Sequence, residues 1–385
     1  MISRSISSFF RVNLETFPIA GIIGPRQVGK TTFVKSYFKS NPSIFTYLDL
    51  DLQSDKAKLA NAQYFLEAQE NKTVILDEIQ LMPEIFGLLK ALVDKNKQVG
   101  RFIILGSASP KLLRKSSDAL TGRIGYVEMH PFNIEEVNIE NQTNLWLRGG
   151  FPDAFLANTE EKWQLITNNF IKTYIERELP ELGLPASSNT TYRLLSMLSS
   201  SNGQLLNLSA ISKSLGLSVN TIKSYLQILE SSFLIRLLPP YFINIKKRLT
   251  KTPKVYLRDT GILHNLLGIE SFNDLMGNQN LGYSWEGFVI QQIIACAPPN
   301  LDFAFYRTQD GTEVDLVILK GDKPKYSIEI KLNSNFKLSK GNSIAYKDIG
   351  AEKNFVITSG NENYPFNEAV EVIGLHQFCR EYLIR

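Results

Sequence analysis

The chain has 385 residues, of which 43% are hydrophobic and 21% are charged, and its formal net charge is +4 at pH 7. This composition is typical of folded domains rather than of a disordered chain, and the length predicts two or three domains. Two cysteines, Cys296 and Cys379, are too few for a disulfide framework or a zinc site. Since the sequence also has no apolar run of about 20 residues and no secretory leader, it predicts a cytoplasmic protein without a membrane partner.

The most specific motif in the chain is a glycine-containing loop near the N-terminus. It fits the phosphate-binding pattern G-x-x-x-x-G-K-[ST] and reads Gly24-Pro25-Arg26-Gln27-Val28-Gly29-Lys30-Thr31-Thr32. Glycine lets the backbone curl around a polyphosphate while the amides of the following helix point inward. We therefore expect all of these residues to bind a nucleotide. Lys30 would also act in catalysis at the β- and γ-phosphates, and the Thr31 hydroxyl would bind Mg²⁺.

Apolar strands alternate with helical segments from residue 18 to about residue 132, which predicts a parallel α/β sheet. The predicted strands are Pro18–Ile23, Phe45–Asp49, Thr73–Leu76, Arg101–Leu105 and Gly125–Met129. The predicted helices between them are Thr31–Phe38, Asp55–Glu70 and Pro83–Lys97. The loop thus has the strand–loop–helix context that phosphate binding requires.

Asp77 and Glu78 follow the third predicted strand. We expect Asp77 to hold Mg²⁺ through water and Glu78 to polarise the attacking water, which separates a hydrolase from a protein that only binds a nucleotide. The next strand leads to Ser107 and Ser109, and the carboxyl ends of parallel strands face the ligand crevice. Either serine is placed to sense the γ-phosphate or orient the water, and the alternative is an ordinary serine-rich turn.

Arg123 is the best candidate for an arginine that reaches the transition-state charge, in cis or from a neighbouring subunit. Arg26 inside the loop is a weaker candidate. For both, the alternative is a solvated surface arginine. An arginine acting in trans requires an oligomer, which the sequence leaves open.

The middle of the chain is basic and has a helix-turn-helix pattern. Ser209–Leu215 and Asn220–Glu230 flank a glycine turn, Ser218 or Asn220 is expected to cap the second helix, and a β-wing follows. Residues 204–260 contain nine Lys or Arg and two acidic residues, a net charge of +7. This favours double-stranded DNA as a partner, because duplex binding begins with phosphate neutralisation. The alternative is an ATPase lid or a protein-contact module with solvated lysines.

A predicted C-terminal hairpin, with a turn at Lys320–Pro324, carries acidic residues on one face. If the turn is symmetric about Asp322, Asp315 faces Glu329 and Glu313 faces Lys331. Opposed carboxylates need a positive charge between them, which predicts a magnesium site with Lys331 beside it. The alternative is an amphipathic hairpin with a polar outer face.

Several of these motifs together resemble a known family. The phosphate loop, Leu76–Gln80, Gly106-Ser107 and Leu120–Arg123 resemble the prokaryotic AAA-type (AAA+/STAND-like) P-loop ATPases that end in a nuclease-like domain of unknown function. The resemblance continues through Gly149–Pro152, Tyr256–Gly261 and Trp285-Glu286. In addition, Asp315, Glu329-Ile330-Lys331 and the helical Glu286 resemble the D…E-x-K core of PD-(D/E)XK nucleases.

The resemblance implies an α/β protein of three parts: a P-loop ATPase domain at 1–140, a helical and winged-helix domain at 141–275, and a nuclease-like α/β domain at 276–385. With the motifs, it predicts a protein that hydrolyses ATP with Mg²⁺ and couples hydrolysis to DNA or partner handling. ATP is preferred over GTP on the resemblance alone. Two alternatives stay open: a nucleotide-gated DNA nuclease, and a non-hydrolysing switch that binds ATP and recruits a protein.

Overall fold

The computed structural model describes residues 2–39, 44–107, 120–242 and 249–384. Ser109 and three members of the basic stretch (Lys246, Lys247 and Arg248) lie outside the described residues. The chain divides into two compact units, residues 1–131 with 231–233, and residues 132–230 with 234–385. No helix in the described part of the chain is long and apolar enough to cross a membrane.

The first unit is built on a parallel sheet. Its strands are β1 Ile19–Ile23, β2 Phe45–Asp49, β3 Thr73–Asp77, β4 Phe102–Gly106 and β5 Ile124–Glu128. Within the described residues these strands pair in the order β2-β3-β4-β1-β5, and each pairing is parallel. Strands β1, β3 and β4 are short apolar runs buried almost throughout, as expected for a sheet covered on both faces. The predicted α/β sheet is confirmed, with no strand end shifted by more than one residue.

The helices of this unit differ from the prediction in two places. They are α1 Ser7–Thr16, α2 Lys30–Tyr37, α3 Gln53–Lys58, α4 Ala62–Ala68 and α5 Ile85–Lys95. The single helix predicted over Asp55–Glu70 is instead α3 and α4, because the Asn61 side chain accepts a hydrogen bond from the Tyr64 amide (3.3 Å) and starts a new helix. Helix α1 has no counterpart among the predicted elements, and its Phe10 ring packs edge-on against Phe33 of α2 at 5.4 Å.

The second unit begins with helices and a small antiparallel wing. The helices are α6 Gln142–Arg148, α7 Pro152–Phe155, α8 Glu160–Thr173, α9 Leu179–Glu181, α10 Ser188–Ser200, α11 Leu208–Leu215 and α12 Val219–Ser231. Gly216, in the left-handed region at φ 65°, ends α11, and the Ser218 hydroxyl caps α12 by accepting from the Thr221 amide (3.0 Å). Strands β6 Ile235–Leu238 and β7 Lys254–Leu257 then pair antiparallel. Two helices joined by a glycine turn are therefore found where the helix-turn-helix was predicted, and the second strand of the antiparallel pair lies further along the chain than the predicted wing.

Two motifs without assigned chemistry pack against each other in this unit. Asp259 caps helix α13 Thr260–Leu266, and its buried carboxylate accepts from the amides of Ile262 (3.0 Å) and Gly150 (2.8 Å). A Cβ atom on Gly149, which has φ 76°, would lie 2.1 Å from Asp259 Oδ1. Burial raises the pKa of Asp259 to about 6. The Asp259 side chain therefore holds the Gly149-Gly150 segment against the start of α13.

The C-terminal part of the second unit is a mixed sheet with helices. The helices are α14 Phe272–Met276, α15 Leu281–Cys296, α16 Lys340–Ile349 and α17 Leu375–Phe378. The strands are β8 Asp302–Arg307, β9 Glu313–Lys320, β10 Lys323–Ile330, β11 Lys353–Thr358, β12 Tyr364–Asn367 and β13 Val370–Gly374. In the described residues they pair in the order β12-β13-β11-β10-β9-β8, with β10-β11 and β11-β13 parallel and the other pairs antiparallel.

The β9–β10 hairpin has the predicted register but reaches it by a different turn. Leu316 pairs with Ile328 and Val317 with Ser327, as symmetry about Asp322 requires. The turn itself is shorter than predicted, since β9 ends at Lys320 and β10 begins at Lys323. An irregularity between Pro324 and Tyr326 inserts the additional residue and restores the register.

Candidate functional site

The phosphate loop joins β1 to α2 in the first unit. Gly24 has φ 153° and Gly29 has φ 93°, and α2 begins immediately after Gly29. A Cβ atom on Gly24 would lie 2.2 Å from the Met129 carbonyl oxygen, so a side chain has no space there. Glycine at these two positions is therefore required by the fold of the loop.

Lys30 lies buried under the loop. Its ammonium donates hydrogen bonds to the carbonyl oxygens of Gly24 (3.0 Å) and Pro25 (2.8 Å), and the residue is 6% exposed. Burial lowers the pKa of Lys30 to about 8, against the opposing effect of the Glu78 and Asp77 carboxylates. The loop thus holds a poorly solvated cation beside the amides of a helix N-terminus, where an anionic phosphate is favoured.

Asp77, at the end of β3, is hydrogen-bonded to the start of α2. Its Oδ2 atom accepts from the Thr31 hydroxyl (2.5 Å) and from the Tyr47 hydroxyl (2.6 Å). Carboxylate and hydroxyl oxygens are ligands that Mg²⁺ accepts, so Thr31 and Asp77 fit the predicted magnesium site. Tyr47 on β2 was not identified from sequence, although its place on the strand adjoining β3 was predictable.

Glu78 and Ser107 come together at the same edge of the sheet. Glu78 has φ 53°, and its carboxylate accepts a hydrogen bond from the Gln80 side-chain amide. The Gln80 amide also donates to Ser107 Oγ (2.8 Å), which lies 3.3 Å from Glu78 Oε2. The structure therefore places the predicted water-polarising carboxylate and the predicted serine side by side, and adds Gln80 as the group that orients both.

A second residue that sequence reasoning missed supports the loop from outside the motif. Arg4 donates to the Val28 carbonyl oxygen (2.7 Å) and to the His130 carbonyl oxygen (2.5 Å). It thereby ties the phosphate loop to the segment after β5. An arginine this far from the motif gives no local sequence signal.

Arg123 does not lie with these residues. It precedes β5, whose first residue Ile124 pairs with Ile19 at the start of β1. Arg123 therefore lies at the amino ends of these strands, whereas the loop follows the carboxyl end of β1. A five-residue strand spans about 16 Å. Arg123 instead forms a two-point ion pair with Asp94 (2.6 and 3.0 Å). This position excludes the cis role in this structure, and the trans role stays a prediction. Arg26 lies close enough to Lys30 to oppose its protonation.

The basic stretch contributes less exposed charge than its composition suggests. Lys213, Lys223 and Lys251 are exposed, whereas Lys254 is buried. Exposed polar residues also follow one face of α12, at Asn220, Lys223, Ser224 and Gln227. This spacing corresponds to one helical face.

A second group of predicted residues meets in the C-terminal part of the second unit. Glu286 on α15, Asp315 on β9, and Glu329 and Lys331 at the end of β10 all line a cavity of about 660 Å³. The Lys331 ammonium pairs with Glu329 Oε1 (2.7 Å), and the Ile330 amide donates to Asp315 Oδ2 (2.8 Å). Burial, with the Glu329 carboxylate nearby, raises the pKa of Asp315 well above its ordinary range. The four predicted residues are therefore brought together.

The positive charge between these carboxylates is a lysine. Lys254 of β7 is 3% exposed, and its ammonium lies 2.9 Å from Glu286 Oε1, 2.6 Å from Glu313 Oε1 and 3.8 Å from Asp315 Oδ1. Burial alone would lower the pKa of Lys254, but the carboxylates around it raise the pKa above its usual value.

This arrangement differs from the sequence-based expectation of a metal site. Glu313 forms ion pairs with Lys254 (2.6 Å) and Arg307 (2.9 Å), while the predicted facing of Glu313 and Lys331 lies beyond the paired register and stays a prediction. Within the described residues, no three acidic, histidine or cysteine side chains are arranged to hold a metal ion. The predicted magnesium site of the hairpin therefore does not fit, because an ammonium lies where the metal would bind.

Comparison with protein families divides the chain into three parts. Residues 16–138 match a family described as an AAA domain. Residues 139–273 match a domain of unknown function (DUF8612), and residues 281–378 match another domain of unknown function (DUF4143).

Uncharacterized proteins similar to this chain occur in three bacteria. Rv2008c of Mycobacterium tuberculosis and Mb2031c of Mycobacterium bovis are each 35% identical to it over 374 residues, or 97% of this chain and 84% of the relative. A protein of Haemophilus influenzae is 25% identical over 224 residues, which is 54% of this chain and 55% of the relative.

Solved structures show weaker similarity. The Walker-type ATPase PABY2304 of Pyrococcus abyssi is 15% identical with a TM-score of 0.44, over 69% of this chain and 96% of that one. The RuvB Holliday junction branch migration motor of Thermotoga maritima is 15% identical with a TM-score of 0.30, over 62% of this chain and 90% of that one. Similarities of this size assign no function.

Proposed function

The chain belongs to the same family as the mycobacterial protein Rv2008c, and we propose that it binds ATP with Mg²⁺ and hydrolyses it. The observation that carries the proposal is the convergence of three groups at one edge of the first sheet: Lys30 under the loop, the Thr31–Asp77 pair, and the Glu78–Ser107 pair. The AAA domain match over residues 16–138 supports it.

In this proposal each residue has a distinct task. The loop amides and the Lys30 ammonium bind the phosphates, and the phosphate replaces the carbonyl oxygens of Gly24 and Pro25 as the partner of Lys30. Thr31 and Asp77 hold Mg²⁺, which neutralises charge on the phosphate oxygens when it is bound. Glu78 accepts a hydrogen bond from the attacking water and orients it toward the γ-phosphate.

Gln80 sets the direction of Glu78 in this structure. Its side-chain amide donates hydrogen bonds to both the Glu78 carboxylate and the Ser107 hydroxyl. Because Ser107 follows the last residue of β4, these bonds hold the carboxylate at the end of that strand. Since Glu78 lies after the end of β3 with its backbone in the left-handed region, the direction of its side chain does not follow the alternation of the strand.

The release of phosphate from ATP by the purified protein tests the proposal. We expect Mg²⁺-dependent turnover by the parent and its loss in Lys30→Ala, because the phosphates lose their buried counter-charge. Lys72→Ala, which removes an exposed lysine, is the matched control and is expected to keep the parental rate. Nucleotide binding without turnover in the parent would instead support the non-hydrolysing switch.

We further propose that double-stranded DNA is what the middle of the chain contacts. The exposed face of α12, with Asn220, Lys223, Ser224 and Gln227, is the second helix of a helix-turn-helix, the element that reads base edges in such folds. The burial of Lys254 removes one charge from the basic stretch, so α12 and the exposed Lys213 and Lys251 carry the proposal.

A charge reversal on α12 tests DNA contact. At about 0.1 M salt we expect Lys223→Glu to weaken duplex binding by roughly tenfold or more, because one phosphate contact becomes a repulsion. Fluorescence anisotropy of a labelled duplex measures it, and Lys172→Glu on the exposed side of α8 is the matched control. Equal binding by the two variants would contradict contact through α12 and leave a protein-contact role for the module.

A further inference from the structure

The acidic cavity of the C-terminal sheet is supplied with a cation by another part of the second unit. Lys254 belongs to β7, in the region 139–273, whereas Glu286, Glu313 and Asp315 belong to the region 281–378. Each of these carboxylates lies within 4 Å of the Lys254 ammonium, and the fourth, Glu329, is paired with Lys331. All four carboxylates thus have a positive partner from the chain itself.

The position of Lys254 is fixed by the strand that carries it. Lys254 pairs with Leu238 of β6, and the Leu205 backbone bridges it on the other side. Two residues further along the same strand face, the Tyr256 hydroxyl donates to the same oxygen of Glu286 (2.5 Å). The Lys254 ammonium also lies 5.5 Å from the centre of the Phe305 ring of β8. A lysine with this many constraints is part of the fold and not a surface side chain that has turned inward.

A divalent metal would compete with this lysine for the same oxygens. Mg²⁺ sits about 2.1 Å from its oxygen ligands, so an ion bound to Glu286 and Asp315 would lie only a few ångströms from the ammonium. Two cations that close, in a buried site, repel strongly. The position can hold either the Lys254 ammonium or a metal ion. Because the lysine is part of the chain, it is always present at the position, whereas a metal ion must bind from solution.

We infer that the Lys254 ammonium takes the place of a metal ion in this cavity, so that the site is an ion-pair network between β7 and the C-terminal sheet and does not bind a divalent metal. The network orders the D…E-x-K residues, but it lacks the metal that phosphodiester hydrolysis by such a set of carboxylates requires. The inference does not depend on the ATPase proposal, because the two sites share no residue.

Manganese binding to the full, nucleotide-free chain tests the inference, with free Mn²⁺ counted by electron paramagnetic resonance. We expect the parent and Asp315→Asn to bind the same number of Mn²⁺ ions, and neither to cleave plasmid DNA with Mg²⁺ or Mn²⁺. Lys254→Met is expected to gain one Mn²⁺ site, and Lys254→Met with Asp315→Asn to lose it again. Lys254→Arg, which keeps the positive charge, is the matched control and is expected to gain none.

Two results would overturn the inference. One is a parent that binds one more Mn²⁺ than Asp315→Asn, or that cleaves DNA in a way that Asp315→Asn abolishes. The other is a folded Lys254→Met protein without an additional Mn²⁺ site, since the lysine would then not be what excludes the metal. If Lys254→Met does not fold, the comparison of the parent with Asp315→Asn still decides the question.

Discussion

At the scale of single residues, the nucleotide site is organised by side chains that compensate for burial. Lys30 donates hydrogen bonds to two carbonyl oxygens of its own loop, and Asp77 accepts hydrogen bonds from two hydroxyl groups. The motif residues Lys30, Thr31 and Asp77 were predictable because their chemistry fixes both residue type and spacing. Tyr47 and Arg4 were not, since a hydroxyl or guanidinium that orients another residue can come from any nearby element.

The lowered pKa of Lys30 predicts a pH dependence of nucleotide affinity. A phosphate favours the charged ammonium, so ATP binding above about pH 8 must take up a proton, and the affinity falls as the pH rises through this value. Below it the Lys30 ammonium is already charged and adds no further pH dependence. Isothermal titration calorimetry at pH 8.5 in two buffers of different ionisation enthalpy should show the uptake of a fraction of a proton per ATP. Zero uptake would mean that Lys30 is charged at that pH before ATP binds.

At the scale of elements, the two hairpins of the second unit show what patterns predict and what they miss. The register of β9 and β10 was predicted from a turn symmetric about Asp322, and the pairing of Leu316 with Ile328 agrees with that prediction. The irregularity after Pro324 left no signal in the sequence. The partner of Asp315 was missed for a related reason: Lys254 lies on a different hairpin, and its basic neighbours in sequence made it resemble a surface residue.

The packing of Gly149 against Asp259 gives a stability prediction for these elements. Gly149→Ala is expected to lower the free energy of unfolding by about 3 kcal/mol or more, because the new Cβ overlaps a buried carboxylate as well as straining a positive φ. Gly183→Ala is the matched control: φ is 89° there but nothing lies within 4 Å of a Cβ, so we expect only about 1 kcal/mol. Urea denaturation measures both, and equal costs would contradict the packing account.

At the scale of the whole molecule, the chain combines an AAA domain with two domains of unknown function. The parallel α/β sheet of the first unit followed from alternating apolar segments, which local periodicity determines, whereas a C-terminal α/β domain was implied by resemblance alone. The charge balance of the C-terminal cavity could not be predicted in this way, because the cation between its carboxylates is Lys254, which comes from a distant segment of the chain. The resemblance to a nuclease core predicted that Glu286, Asp315, Glu329 and Lys331 lie close together, and they line one cavity.

Hydrolysis at the phosphate loop is tested most directly by single-turnover release of the γ-phosphate. With protein in excess over labelled ATP, the parent and Glu78→Gln are compared for ATP binding and for phosphate release in the same samples. We expect equal affinity within about twofold and phosphate release slower by roughly a hundredfold or more in Glu78→Gln, because the general base is lost. Release at the parental rate by Glu78→Gln, or none by the parent, would contradict this expectation.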